Sequence, residues 1–149
     1  MKRIETEIII NAPPSKVHDV LLDFAKYAEW NALLPSIKVY KGDAAAPVGS
    51  TLEVRLALPG KSPMTIYPIV RVNDERKLAW EGAVVHSILF SGVHAFECEP
   101  IEGGAKTKLL QYEDFSGWLL PVLGSMISSA EGGYNSMNEA LKKRVEGSV

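Results

Sequence analysis

Only one cysteine stands among the 149 residues, so Cys98 forms no intrachain disulfide and no cysteine-based zinc site, and a reducing compartment is expected. Histidine is nearly as scarce, with three in all. His94, Glu113 and His86 show no recognisable metal-ligand spacing, so neither a metal nor a cofactor is expected. No glycine-rich nucleotide fingerprint is present either. Charge of one sign never gathers: 16 basic residues are scattered among 18 acidic ones for a net charge of -2, which favours neither nucleic acid nor an anionic membrane as partner. Long apolar runs are missing too. Ile8 to Ile10, after Lys2 and Arg3, is far too short for a signal peptide, and Pro121, Gly124 and several serines interrupt the most apolar stretch. A soluble cytoplasmic protein without stable membrane insertion is expected, with residues 1–149 forming a single domain.

Patterned segments fill the chain. Arg3 to Ile10 alternate in part and end at Asn11-Ala12-Pro13-Pro14, a strand running into a helix with proline in its first turn. Val17, Val20, Leu21 and Phe24 recur at helical spacing, and Asp23 is placed to cap a second short helix through Trp30. β-runs follow at Ile37 to Tyr40, Ser50 to Ala57, Met64 to Val72 and Lys77 to Gly82, separated by Gly, Pro and Asp clusters that suggest an antiparallel meander. Pro68, inside the third of these, requires an edge, a bulge or an amide that faces no neighbour. After Gly117 one long helix is expected. Leu119, Leu123, Met126, Ala130, Tyr134, Met137, Leu141 and Val145 form its apolar stripe, with Glu131, Asn135, Asn138, Glu139, Lys142 and Lys143 lying away from it. Gly132 and Gly133 in mid-helix mark a kink or a gap beside a cavity, since each costs about 1 kcal/mol against alanine.

The last hairpin can be registered from its turn, Ile101-Glu102-Gly103-Gly104. Pairing Pro100 with Ala105 sets Glu99 against Lys106 and Glu97 against Lys108 on the solvent side. The other face then holds Cys98 opposite Thr107, Phe96 opposite Leu109, His94 opposite Gln111, Gly92 opposite Glu113 and Phe90 opposite Phe115. A polar trio, His94, Gln111 and Glu113, thus sits in an apolar frame. On the outer face Val93 and Ala95, paired with Tyr112 and Leu110, leave an apolar strip that suits a homodimer or another partner.

Several segments carry a family resemblance: Ala12-Pro13-Pro14-Ser15-Lys16-Val17, Tyr27-Ala28-Glu29-Trp30-Asn31, Leu78-Ala79-Trp80-Glu81-Gly82, Phe90-Ser91-Gly92-Val93-His94-Ala95-Phe96, Glu113-Asp114-Phe115-Ser116-Gly117 and Met137-Asn138-Glu139-Ala140-Leu141-Lys142. In this order of elements the chain resembles the START-like helix-grip superfamily (SRPBCC), including the polyketide cyclase/dehydrase and lipid transport group. It departs from that pattern at Ala32, where proline often follows the tryptophan-asparagine pair. The resemblance implies an α+β helix-grip fold: a curved antiparallel sheet wrapped around a long carboxy-terminal helix, with two short helices after the first strand and a ligand cavity inside. It implies that Trp30, Asn31 and Leu34 lie by the cavity mouth and that Tyr134 and Met137 form the opposite wall.

Three readings of the polar trio stay open. Burying these groups without partners costs about 1 to 3 kcal/mol each, so they form a satisfied internal network, orient the polar end of an apolar ligand, or act as an acid/base pair, Glu113 with His94. With Trp80, Phe90, Phe96, Leu109 and Phe115 around them, the leading expectation is binding of a small hydrophobic molecule, a lipid or polyketide-like aromatic. The alternatives are a cyclase or dehydratase using Glu113 and His94, and an interaction protein whose cavity is incidental. Trp30 and Trp80 also suit plain core. Cys98 and His94 share a face but stand about 13 Å apart along one strand, which excludes a nucleophile and base pair. His18 is expected at the surface or in a groove.

Overall fold

The computed structural model describes residues 1–83 and 89–147. The chain runs β1 (Lys2–Ile10), α1 (Pro14–Leu22), a 3-10 helix (Phe24–Glu29), β2 (Ser36–Lys41), β3 (Thr51–Leu56), β4 (Met64–Ile66), β5 (Ile69–Asn73), β6 (Lys77–Ala83), β7 (Ser91–Ile101), β8 (Lys106–Ser116) and, after a 3-10 turn (Leu120–Leu123), α2 (Gly124–Gly147). The eight strands form one antiparallel sheet in the order β1-β8-β7-β6-β5-β3-β2, with β4 paired to β3. Helix α2 packs against β1 and β8 and touches α1. This is the helix-grip architecture.

Local chemistry explains most element boundaries. Pro14 opens α1, where its missing N–H and fixed φ cost nothing. Asp23 stands at the junction, but its side chain caps nothing; its backbone N–H instead closes α1 onto the carbonyls of Asp19 and Val20. The second short helix, Phe24–Glu29, is 3-10. The expected strand Met64 to Val72 is two strands interrupted at Tyr67-Pro68, where Pro68 has no N–H to give the ladder, although both halves pair with β3 in one register, Ile66 with Val54 and Ile69 with Thr51. The Pro68 carbonyl still accepts from Leu52 N at 2.8 Å.

The last hairpin departs from its expected register by two residues. Ile101 pairs with Lys106, so Cys98 lies opposite Leu109, Phe96 opposite Gln111, His94 opposite Glu113 and Gly92 opposite Phe115. On the outer face Val93 meets Asp114 and Ala95 meets Tyr112. The strand continues one residue further than its turn signal suggests because Glu102 takes a left-handed φ of 51°, followed by Gly103 at 69° and Gly104 at 90°. Charge pairing favoured the wrong register: Glu99 meets a lysine in both, but Glu97 lies opposite Leu110 on β8 and finds its lysine, Lys77, on β6, while Lys106 and Lys108 also pair with Glu102 and with Glu7 on β1. A slip of two preserves the face of every side chain, so the polar trio stays inward.

Along α2 the expected stripe is buried from Ala130 to Val145, while Leu119, Leu123 and Met126 are half-buried. Asn138 corrects the expected pattern: only 2% exposed, it belongs to the buried face. The two helix glycines differ sharply. A methyl group on Gly133 would stand 2.8 Å from Leu33 Cδ1 and 3.2 Å from Pro59 Cδ, whereas one on Gly132 meets open space. Gly132→Ala is therefore expected to stabilise the fold by about 1 kcal/mol through helix propensity, and Gly133→Ala to lose at least as much as it gains; thermal unfolding of the two variants separates them.

Candidate functional site

Two neighbouring cross-strand rows build the site. In one, Trp80 on β6 lies opposite His94 on β7, His94 opposite Glu113 on β8, and Glu113 opposite Ile4 on β1. In the other, Leu78, Phe96, Gln111 and Thr6 follow one another across the same strands. Because both rows face α2, the helix lays Tyr134 and Asn138, four residues apart, over the polar members.

The result is a continuous hydrogen-bond chain. Thr6 Oγ1 donates to the Gln111 carbonyl at 2.9 Å and accepts from Asn138 Nδ2 at 2.8 Å. Gln111 Nε2 donates to Asn138 Oδ1 at 2.7 Å and to the Tyr134 carbonyl at 3.2 Å. Gln111 Oε1 lies 2.9 Å from His94 Nε2, and His94 Nδ1 lies 2.9 Å from Glu113 Oε1. Tyr134 OH donates to that same Oε1 at 2.5 Å. Burial, and after it the Glu113 carboxyl, holds the Tyr134 phenol well above its ordinary range, so the hydroxyl keeps its hydrogen. Aromatic rings fix the imidazole in place: Trp80 stacks on it at 5.4 Å, and Phe96 and Tyr134 each stand 4.8 Å away.

This chain ends at a cavity. At about 80 Å³, the cavity is several times the space one water needs, roughly 10–15 Å³. Of the residues singled out from sequence, Leu34, Trp80, Phe90, His94, Glu113, Phe115 and Tyr134 line it. Phe96, Leu109, Gln111 and Met137 are buried but do not line it. Trp30 and Asn31 are not among the lining residues. Trp30 packs its ring 5.0 Å from Tyr27, and Asn31 Oδ1 accepts from Leu34 N at 2.9 Å, which holds the local turn.

Other lining residues were not singled out for the site, Met126 and Ala130 being named only in the apolar stripe of the last helix. β3 and its exit supply Val54, Leu56 and Leu58, β4 supplies Met64 and Ile66, and α2 supplies Met126 and Ala130. Gly92 has a particular part. A methyl group there would stand 2.1 Å from Glu113 Oε2, so the glycine leaves the space into which that carboxylate oxygen reaches. The two residues are diagonal neighbours on adjacent strands, Gly92 lying opposite Phe115.

The remaining candidates carry less. His18 is 8% exposed, which removes the surface alternative expected for it and leaves the groove. Cys98 is 1% exposed, and burial pushes its thiol up to about 12. Alkylation of Cys98 at pH 8 is accordingly expected only as fast as the chain unfolds, which mass spectrometry across a urea series checks. Among the described residues no group of three or more His, Cys, Asp or Glu is placed to hold a metal ion, and His86 lies outside them. The outer strip is covered in part by the chain's own side chains: Ala95 is 1% and Tyr112 5% exposed, with the Arg3 guanidinium 4.2 Å over the Tyr112 ring and Lys77 5.7 Å from it, while Val93 and Leu110 are half-buried. No helix among the described residues is long and apolar enough to cross a membrane.

The chain belongs to the polyketide cyclase/dehydrase and lipid transport family, whose model matches residues 1–146. Solved structures agree on the fold. A START superfamily protein from Mycobacterium smegmatis superposes with a TM-score of 0.77 at 19% identity, covering 99% of each chain. The Zhui aromatase/cyclase from Streptomyces sp. R1128 gives 0.77 at 14% identity, over 97% of this chain and 93% of that one. TTHA0849 from Thermus thermophilus gives 0.74 at 13% identity, over 98% of each. At these identities the likeness is one of fold alone. No curated protein matches the chain in sequence.

Proposed function

We propose that this protein binds a small, largely apolar molecule in the cavity between its sheet and α2, with Glu113 facing the polar end of that molecule. One observation carries the reading: the chamber is walled by leucine, isoleucine, methionine and aromatic side chains except at one corner, where Glu113 is held by His94 and Tyr134. Apolar burial supplies affinity in such a chamber, and a few fixed polar groups supply orientation. The ligand sought is a lipid or a polyketide-like aromatic, in keeping with the family to which the chain belongs.

The same corner supports a second reading, acid/base chemistry on the bound molecule, because His94, Glu113 and Tyr134 form an uninterrupted path for a proton. Native mass spectra of the protein purified from its own host, compared with the denatured mass, test the first reading. A reproducible extra mass lost on denaturation is the expected result. A clean unliganded mass in a folded sample counts against tight carriage and favours a transient substrate.

A further inference from the structure

The hydrogen-bond chain fixes where the hydrogens are. Carbonyl oxygens only accept, so the Tyr134 carbonyl orients the Gln111 amide, and the Gln111 carbonyl, through Thr6, orients that of Asn138. Gln111 Oε1 therefore faces His94 Nε2, which must carry a hydrogen. At the other side of the ring, one proton lies between Nδ1 and Glu113 Oε1. Resting on the nitrogen, it makes an imidazolium and a carboxylate; resting on the oxygen, it makes a neutral imidazole and a carboxylic acid. Both arrangements have no net charge. A hydrogen belongs between the two atoms, since without one two lone pairs face each other 2.9 Å apart.

In both neutral arrangements Glu113 Oε2 bears no hydrogen. It reaches over Gly92, a lining residue of the cavity, and has no hydrogen-bond partner among the described residues. Both side chains line the cavity, and the Glu113 side chain, at 16% exposed against 7% for His94, is the more open of the two. The atom offered to a ligand is thus an acceptor. Resting on the binding reading above, we propose that the chamber selects apolar molecules that end in a hydroxyl, an alcohol or a phenol, over those that end in a carboxylate or a carbonyl. A ligand O–H donates to Oε2 and satisfies both atoms. A carbonyl or carboxylate brings lone pairs against it, leaving both sides unpaired, and a site built to hydrogen-bond a hydroxyl discriminates strongly against analogues that lack one.

Ligand-observed NMR titrations of the full chain with 1-naphthol, 1-methylnaphthalene and 1-naphthoate test this directly, since the three share a ring system and differ in the terminal group. The expected ranking places 1-naphthol at least about 10-fold tighter than 1-methylnaphthalene, with 1-naphthoate weakest. In Glu113→Leu, 1-naphthol is expected to fall to the level of 1-methylnaphthalene in the same variant; should that variant not fold, the ranking on the unaltered chain decides. Equal binding of naphthol and methylnaphthalene, or preference for naphthoate, overturns the hydroxyl selection and leaves the binding reading standing. No binding of any of the three overturns both.

Discussion

Replacing Gln111 with leucine is expected to lower stability by about 3 to 5 kcal/mol, although leucine is close in size and the position is 0% exposed. Hydrophobic transfer alone predicts the opposite sign, since a buried amide becomes an alkyl group. The hydrogen-bond chain decides otherwise. Gln111 bridges His94 directly to the helix: it accepts from His94 Nε2 and donates to Asn138 Oδ1 and to the Tyr134 carbonyl. Leucine takes that partner from all three; the Tyr134 carbonyl keeps its helical N–H, but His94 Nε2 and Asn138 Oδ1 are left unsatisfied, each at a cost of about 1 to 3 kcal/mol. The loss is a large share of an ordinary domain's 5 to 15 kcal/mol, counted roughly. Urea unfolding measures it through the shift in midpoint at constant slope. A loss below about 1 kcal/mol would mean that water replaces the amide and that the chain is not a closed network. As a contrast, Lys108→Ala removes a surface pair to Glu7 and is expected to change stability by less than about 0.5 kcal/mol.

How much of this site the sequence discloses depends on which physical signal each residue carries. The order of elements is legible because periods of two and of three to four residues alternate cleanly along the chain. The inward face of His94, Gln111 and Glu113 is legible for a sturdier reason: side chains alternate, so an error of two residues in the hairpin moves every partner and no face. The partners themselves are not legible, because a left-handed Glu102 lengthens the strand and a glutamate at φ 51° leaves no compositional mark. Thr6 had a signal, being in phase with Ile4 and Ile10 on β1, all three buried. Asn138 had one as well, four residues after Tyr134, but its polarity suggested the solvent face. Tyr134 was placed at a cavity wall by the resemblance, and its donation to Glu113 was not legible, since the stripe reveals which way a side chain faces and not where its hydroxyl ends. The β4 contribution, Met64 and Ile66, depends on which strand β4 pairs with, β3, and no sequence pattern fixes that pairing. Trp30 and Asn31 show the converse case: placed at the mouth by resemblance, they serve the Tyr27 ring and the turn at Leu34.

Gly92→Ala is expected to cost about 2 to 4 kcal/mol, large for adding one methyl group to a strand. Alanine suits a strand at least as well as glycine, because glycine loses more conformational freedom on folding. Taken alone, backbone preference predicts a gain of a few tenths to about 1 kcal/mol. The added carbon, however, would stand 2.1 Å from Glu113 Oε2 and 3.1 Å from its Cδ, so the carboxylate must leave. A free glutamate would swing away at little cost. This one is held through Oε1 by His94 Nδ1 and Tyr134 OH, and moving it leaves both groups without a partner beside an apolar chamber. A double-mutant cycle separates the two contributions. Glu113→Ala breaks the same two hydrogen bonds by itself, and with the carboxylate gone the alanine at 92 meets no obstacle. In that background Gly92→Ala should turn from destabilising to neutral or slightly stabilising, a coupling of about 2 kcal/mol or more. If the two losses simply add, the glycine is serving the strand rather than the carboxylate. If they cancel as expected, Gly92 is a positioning residue, and a residue missing its side chain is what lets Glu113 face the ligand.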